Sequence, residues 1–425
     1  MSRDKIAIIG TGISGLASAW FLNKEHDITL FEQDNRLGGH SNTVIVSEGA
    51  SEIPIDTGFM VYNEVTYPLL TRLFRELEVF TKPTKMSFSV QHIERKLEFN
   101  GGSLNLLFGQ RKNLCSLRYW HMLIQINRFN RETVAELIAP SYEDMTLRDY
   151  VKVRSYGDDF FNWYLSAMAA AVWSSSPDLI EEFPARTLMR FWYNHGFLGL
   201  NTQHPWRTVS GGSRCYIQKL IKPFEEKISK NMGVRMIHQE SNGVNLEFDD
   251  GTLQKFDKVV IATHGDQAAQ LLKDPTSLEN ELLKSFQYRE CEAILHTDKS
   301  CMPRTRRCWA SWNYRMEPTT HGKTNHSTHY WMNELQGVSE HEQYFVSINS
   351  PSLPRPESIK KRIQYTHPQF NLQAVAAQDR IHELHVAGQE THRYFCGAWQ
   401  RYGFHEDGLW SAVQMCKEIL KRDPW

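Results

Sequence analysis

The run KIAIIGTGISGLASAW, residues 5–20, constrains the fold more than any other stretch of the chain. KIAII reads as a short buried strand. Gly10, Gly12 and Gly15 then follow in the spacing G-x-G-x-x-G, and Ile13, Leu16, Ala17, Trp20 and Phe21 recur on one side of a helix. DITLFE, residues 27–32, is a second strand. Strand, glycine turn, helix and strand make the opening of a βαβ unit. In such a turn the first glycine allows the bend and the second admits a pyrophosphate to the backbone. The third lets helix and strand pack closely. Ser14 and the other first-turn residues would offer their N–H groups to the phosphate. Glu32 ends the second strand at the distance that suits ribose hydroxyls and would repel a 2′-phosphate, which disfavours NADP.

The next residues separate NAD from FAD. QDNRLGGH contains Gln33, Arg36, Gly38, Gly39 and His40, and IDTGFM contains Asp56, Thr57, Gly58, Phe59 and Met60. This pattern resembles the E-x-x-x-R-x-G-G-R segment and D-x-G turn of amine-oxidase-type flavoproteins, with His40 in place of the usual Arg. VSGGSRCYIQKL (209–220) is similar to the same family's G-G-x-x-x-L loop and helix. HVAG and YFCGAWQRYGFHEDG are similar to its C-terminal motif. The resemblance implies FAD. Gly38, Gly39 and His40 would wrap the pyrophosphate, while Thr57, Gly58, Phe59 and Met60 would border the isoalloxazine. Val234 would meet the adenine. Gly397 would meet the ribityl chain, and Glu406, Asp407, Gly408 and Leu409 would form a helix start aimed at the ring. A helix N-terminus there favours the negative charge of reduced flavin.

Longer segments, among them AAVWSSSPDLIEEFPA (170–185), RFWYNHGFL (190–198) and YGFHEDG (402–408), resemble a narrower bacterial group of predicted NAD/FAD-binding proteins. Relatives of that group are associated with cyclopropane-fatty-acid synthases. The resemblance implies a fatty acyl substrate, free or esterified, and desaturation beside a double bond or methyl branch. It also implies a methyltransferase partner. Double-bond isomerisation, a non-catalytic flavoprotein and amine oxidation stand as alternatives. His405 and His195 are the candidate acid or base groups.

The fold expected is α/β: a Rossmann-like FAD-binding domain from residues 1–65, 205–275 and 380–425, and a mixed α+β substrate domain from 66–204 and 276–379, as in amine and protoporphyrinogen oxidases. Within it, 205–212 reads as a turn-rich break, 214–230 as helical, 234–248 as a hairpin and 285–350 as sheet. LHVAG reads as a strand before a final helix from about 409. The net charge of −1 leaves no field for nucleic acid. Seven Cys with no CxxC read as reduced thiols in a cytoplasmic protein, with a peripheral contact on the inner membrane face open. Lys299 is the candidate for a lysine near the flavin. Trp163, Trp173, Phe191, Trp192, Tyr193, Trp309, Trp312, Trp331 and Trp399 are candidate pocket walls. His321, His326 and His329 fit no zinc spacing, so no metal is expected.

Overall fold

Ile6 and Ile8 point to one side of the first strand (Lys5–Ile9), Ala7 and Ile9 to the other, and all four are buried. A strand apolar on both faces belongs inside a covered parallel sheet. In the computed structural model, which describes residues 3–138, 145–199, 202–318, 324–352 and 354–425, it does. Strands Ile228–Ser229, Asp27–Phe31, Lys5–Ile9, Lys258–Ile261 and Arg393–Phe395 lie side by side in that order, all parallel. One face packs on helices Ile13–Leu22 and His405–Leu420 through Ile6, Ile8, Leu30 and Val260. The other packs through Ala7, Ile9, Phe31 and Ile261 on the antiparallel strands Val234–Glu240, Gly243–Phe248 and Leu253–Phe256 and on helices near residues 265–283 and 372–391.

A second sheet has seven strands in the order Ile359–Gln369, Gln287–His296, Phe345–Ile348, Thr324–Trp331, Trp312–Pro318, Phe88–His92 and Leu97–Asn100. Its pairs are antiparallel except Trp312–Pro318 with Phe88–His92. Period-two patterning sends Ala293, Leu295, Tyr330, Val346 and Ile348 to the face that meets Met60 and Ile55. Helices Leu117–Ile138, Ser166–Trp173 and Ala185–Asn194 complete the molecule around Phe129, Phe160 and Trp192.

The hairpin at 234–248 and the sheet within 285–350 form as the patterns predict. Four local expectations do not. LHVAG lies inside the helix Ile381–Thr391, whose buried Ile381, Leu384, His385 and Gly388 follow helical spacing. The strand comes just after it, at Arg393–Phe395, following a left-handed turn at His392. Residues 205–212 hold a strand, Trp206–Val209, paired with Tyr62–Asn63 and Thr81–Thr84; four residues between Pro205 and Gly211 are too few to display a period. The helix of 214–230 stops at Ile221, and its end supplies the edge strand Ile228–Ser229. The last helix begins at His405, four residues before the expected start, because the Asp407 carboxylate folds back to accept the Phe404 N–H at 2.9 Å.

Candidate active site

Where the first strand meets its helix, the backbone of Gly12 is extended and the helix has no side-chain cap, so its first N–H groups face open space. A Cβ placed on Gly12 would meet nothing within 4 Å. A Cβ on Gly15 would lie 1.9 Å from the Gly10 carbonyl oxygen. The two glycines thus do different work: Gly15 permits the packing, and Gly12 keeps a groove free.

That groove is one end of a cleft of about 1180 Å³. Gly10, Gly12, Ser14, Glu32, Gln33, Arg36, Gly38, Gly39, His40, Thr57, Gly58, Phe59, Met60, Val234 and Gly397 all line the cleft, as do His195 and His405. Glu32 accepts the Thr11 and Asp34 backbone N–H groups at 3.1 and 3.0 Å, which fixes its carboxylate at the groove wall. The Arg36 guanidinium donates to the Gly39 carbonyl at 2.8 Å and to those of Leu37 and Ser41, so it braces the glycine loop. Asp56 is fully buried and accepts the Ser213 N–H and hydroxyl, the Thr43 hydroxyl and the Gln336 amide, tying the loop at 211–213 to the D-x-G turn.

His40 stacks on Tyr365 at 4.9 Å and lies 5.3 Å from His367 and 5.9 Å from His264. Burial lowers these imidazoles to about 3, 3 and 4 respectively. Nε2 of His40 and Nδ1 of His367 are buried with no hydrogen-bond partner among the described residues. Both residues line the cleft. Neutral imidazoles with unpaired nitrogens suit a polar ligand laid along the groove.

The other end of the cleft is apolar. Val44, Met60, Val61, Met86, Val172, Trp173, Phe191, Phe197, Trp206, Trp312, Tyr330, Ile348 and Phe404 line it. Within this wall His195 stacks on Phe191 at 3.9 Å, and its Nδ1 lies 2.9 Å from the Phe191 carbonyl oxygen. A carbonyl only accepts, so Nδ1 carries the proton and Nε2 keeps a lone pair. Burial lowers this imidazole to about 4. His405 is differently engaged. It stacks on Phe59 at 3.9 Å, and its Nε2 bonds the Tyr216 hydroxyl at 2.6 Å and Ser41 at 3.3 Å. Burial lowers it to about 3.

Several predicted residues stand elsewhere. Glu406, Asp407, Gly408 and Leu409, with Gly15, do not line the cleft. Glu406 turns away and accepts the Leu69 and Leu70 N–H groups at 2.9 Å, capping helix Pro68–Glu76. Asp407 is held by Phe404, and Leu409 is core. A Cβ on Gly408 would fall 2.7 Å from Ile13, so this glycine packs the last helix on the first. Lys299 is a surface group near Glu342. Of the candidate walls, Trp173, Phe191, Trp312 and Trp399 line the cleft; Trp163, Trp192, Tyr193, Trp309 and Trp331 do not. Phe404, Trp206, Tyr330 and Tyr365 were not foreseen. Strand alternation marks the last two as one-sided without saying which side holds the cleft.

One cluster has no signature in sequence spacing. His296, Cys301 and His329, far apart in sequence, have ligand atoms within 4.8 Å of one another and are buried. His329 was considered only with His321, which lies outside the described residues, and His326. Both ring nitrogens of each histidine are occupied: His296 by Ser347 and the Asp298 N–H, His329 by Ser347 and Ser327. Burial lowers His296 to about 4 and holds His329 well below the free imidazole value.

The profile of the flavin containing amine oxidoreductase family matches residues 13–420. The chain belongs to this family. It is an FAD-dependent oxidoreductase, and the groove fits FAD: a free helix N-terminus and the open side of Gly12 for the diphosphate, Glu32 for a ribose. No curated protein matches it. Among solved structures, an Exiguobacterium sp. 255-15 protein provisionally named a protoporphyrinogen oxidase aligns at TM-score 0.69 and 16% identity, covering 99% of this chain and 100% of that one. A redesigned putrescine oxidase triple mutant aligns at 0.68 and 12%, covering 99% of each chain. A CLA-producing fatty acid isomerase from P. acnes aligns at 0.67 and 14%, covering 99% of each. These likenesses establish the shared amine oxidase and protoporphyrinogen oxidase-like fold. No helix among the described residues is long and apolar enough to cross a membrane.

Proposed function

We propose that this flavoenzyme removes hydrogen from a long apolar chain, a fatty acyl group with a double bond or methyl branch. The observation that carries the reading is the chamber wall from Met86 to Phe404, built from aliphatic and aromatic side chains, with the His195 imidazole set among them. Lys299, the candidate for a lysine near the flavin, lies at the surface by Glu342 and outside the cleft, which weighs against an amine oxidase. A long acyl chain gains from each buried methylene, about 0.8 kcal/mol apiece.

Bound FAD supplies a hydride acceptor. The chain's residues do the rest. The apolar walls hold the acyl segment and exclude water. The unprotonated Nε2 of His195 takes the proton from the neighbouring carbon as the C–C double bond forms, while the Phe191 carbonyl keeps its Nδ1 proton in place. Tyr216 and Ser41 fix His405, which positions the Phe59 ring stacked on it. The fatty acid isomerase among the structural neighbours motivates a second reading, double-bond migration without net oxidation. The association with cyclopropane-fatty-acid synthases belongs to the same proposal and would make a methyltransferase the partner.

The test is anaerobic mixing of the yellow protein with fatty acids and phospholipids, followed at the flavin band. Bleaching and a product two hydrogens lighter support desaturation. Unchanged product mass with a moved double bond supports isomerisation. Bleaching by amines alone would end both.

A further inference from the structure

The helix Leu117–Ile138 carries two apolar stripes. Tyr119, Met122, Gln125, Phe129 and Thr133 face inward and are buried. Leu117, Trp120 and Ile124, spaced i, i+3 and i+7, face outward and are 85%, 42% and 63% exposed. Leu114, 49% exposed, continues this outer stripe, since its carbonyl accepts the Trp120 indole N–H at 2.9 Å. An inner stripe suffices to seat a helix on a protein core; a second outer one meets water unless something covers it.

The charge around the stripe indicates the cover. Between residue 94 and the helix end at 138 the sequence holds seven basic residues (Arg95, Lys96, Arg111, Lys112, Arg118, Arg128, Arg131) and four acidic residues, Glu94, Glu98, Glu132 and Glu136. Glu98 is buried and bonded to Gln91 and to the backbone of Arg304 and Thr305. Two of the seven are neutralised locally, Arg118 by Asp159 and Arg128 by Glu132. Arg95, Lys96, Arg111, Lys112 and Arg131 are exposed. The whole chain has a net charge of −1, so this basic surface is local. Apolar side chains including a Trp on a surface helix, with Arg131 on that helix and exposed Lys and Arg in the segments that precede it, match the chemistry of an anionic bilayer interface. We propose that the outer stripe of this helix docks the enzyme on an anionic phospholipid surface, with Leu117, Trp120 and Ile124 in the acyl boundary and the exposed Lys and Arg at the headgroups.

The placement links to the chamber. The inner stripe packs on helix Ala185–Asn194, where Phe129 and Trp192 rings stand 5.9 Å apart. Phe191 and His195 of that region line the cleft. The docking helix is therefore the layer outside the chamber wall. Docking does not depend on which lipid reacts, because vesicle binding and flavin bleaching are separate measurements.

The test is co-sedimentation of the full-length holoprotein with vesicles of phosphatidylcholine, with and without one-third phosphatidylglycerol. The double variant Leu117→Ser, Ile124→Ser changes two side chains that sit largely in water, and its unfolding midpoint should stay within a degree or two of the parent. Expected are binding to the anionic vesicles, a loss of about tenfold or more in the double variant, and release by high salt. A second variant, Arg111→Gln with Lys112→Gln, should weaken binding to anionic vesicles while leaving the apolar stripe intact. No binding to anionic vesicles, or equal binding by the double variant, would overturn the proposal. So would a parent that is dimeric by light scattering and becomes monomeric in the double variant, since a second copy would then be the cover.

Discussion

Gly12 and Gly15 belong to one motif, yet the structure assigns them opposite sensitivities, and a pair of variants separates holding the cofactor from folding. Gly12 has φ −66° and ψ 178°, a conformation open to any residue, and a Cβ there contacts nothing within 4 Å. Gly12→Val should leave apoprotein stability within about 1 kcal/mol of the parent. Its side chain would occupy the space in front of the uncapped helix N-terminus. If two charge-assisted N–H bonds to the diphosphate are lost at about 2 kcal/mol each, FAD affinity falls by about 4 kcal/mol, roughly a thousandfold. Gly15→Ala places a methyl 1.9 Å from a backbone oxygen, which only a shift of helix against strand can relieve; about 3 kcal/mol or more of stability should go. The assays are flavin fluorescence titration of the apoprotein and urea unfolding without FAD. A Gly12→Val protein that keeps FAD within tenfold of the parent affinity, or that unfolds as easily as Gly15→Ala, would refute the division of labour.

Glu406→Ala removes the cap from helix Pro68–Glu76 and should cost about 1–2 kcal/mol in urea unfolding, while the flavin spectrum stays unchanged because Glu406 does not line the cleft. His195→Phe fills the same wall without a lone pair; holoprotein should form normally and the rate of lipid-dependent flavin bleaching should fall at least tenfold. His405 sits at about 3, below the free value of 6.5. Its neutral form is the one the fold favours, so its contribution is complete above pH 6.5 and is lost as pH falls from 6.5 towards 3, at about 1.4 kcal/mol per unit. Apoprotein stability should drop on acidification to pH 5.5, and His405→Phe should flatten that slope by about one proton; an unchanged slope would remove His405 from the account. Glu279→Ala strands Arg393, fully buried and bonded to it at 2.8 Å, and should cost about 3–5 kcal/mol by the same unfolding assay.

The nucleotide half of the molecule was legible because phosphate recognition is written in consecutive residues. The glycine turn, Gly38 and Gly39 act through backbone geometry, and Glu32 directly follows the adjacent strand, so spacing along the chain is close to spacing in space. The C-terminal helix starts within four residues of the expected place, but nothing in FHEDG tells that the Glu406 side chain turns back to a helix start more than three hundred residues upstream. LHVAG misled because five residues satisfy both periods, and only the buried i, i+3, i+4 and i+7 positions of the longer segment decide. The chamber was the least legible. Tyr330 and Tyr365 stand on one sheet, with two strands between them, whose order runs 359–369, 287–296, 345–348 and 324–331, an order no local pattern carries. The His296–Ser347–His329 network was hidden for the same reason.

The five-stranded parallel sheet takes its members from residues 5–31, 228–261 and 393–395, and the groove beside it is finished by Gly397 and His405. The glycine turn of the dinucleotide seat is therefore synthesised well before its far wall, with the whole substrate-side sheet made in between. A chain truncated before residue 393 lacks that strand and wall and should therefore emerge without colour.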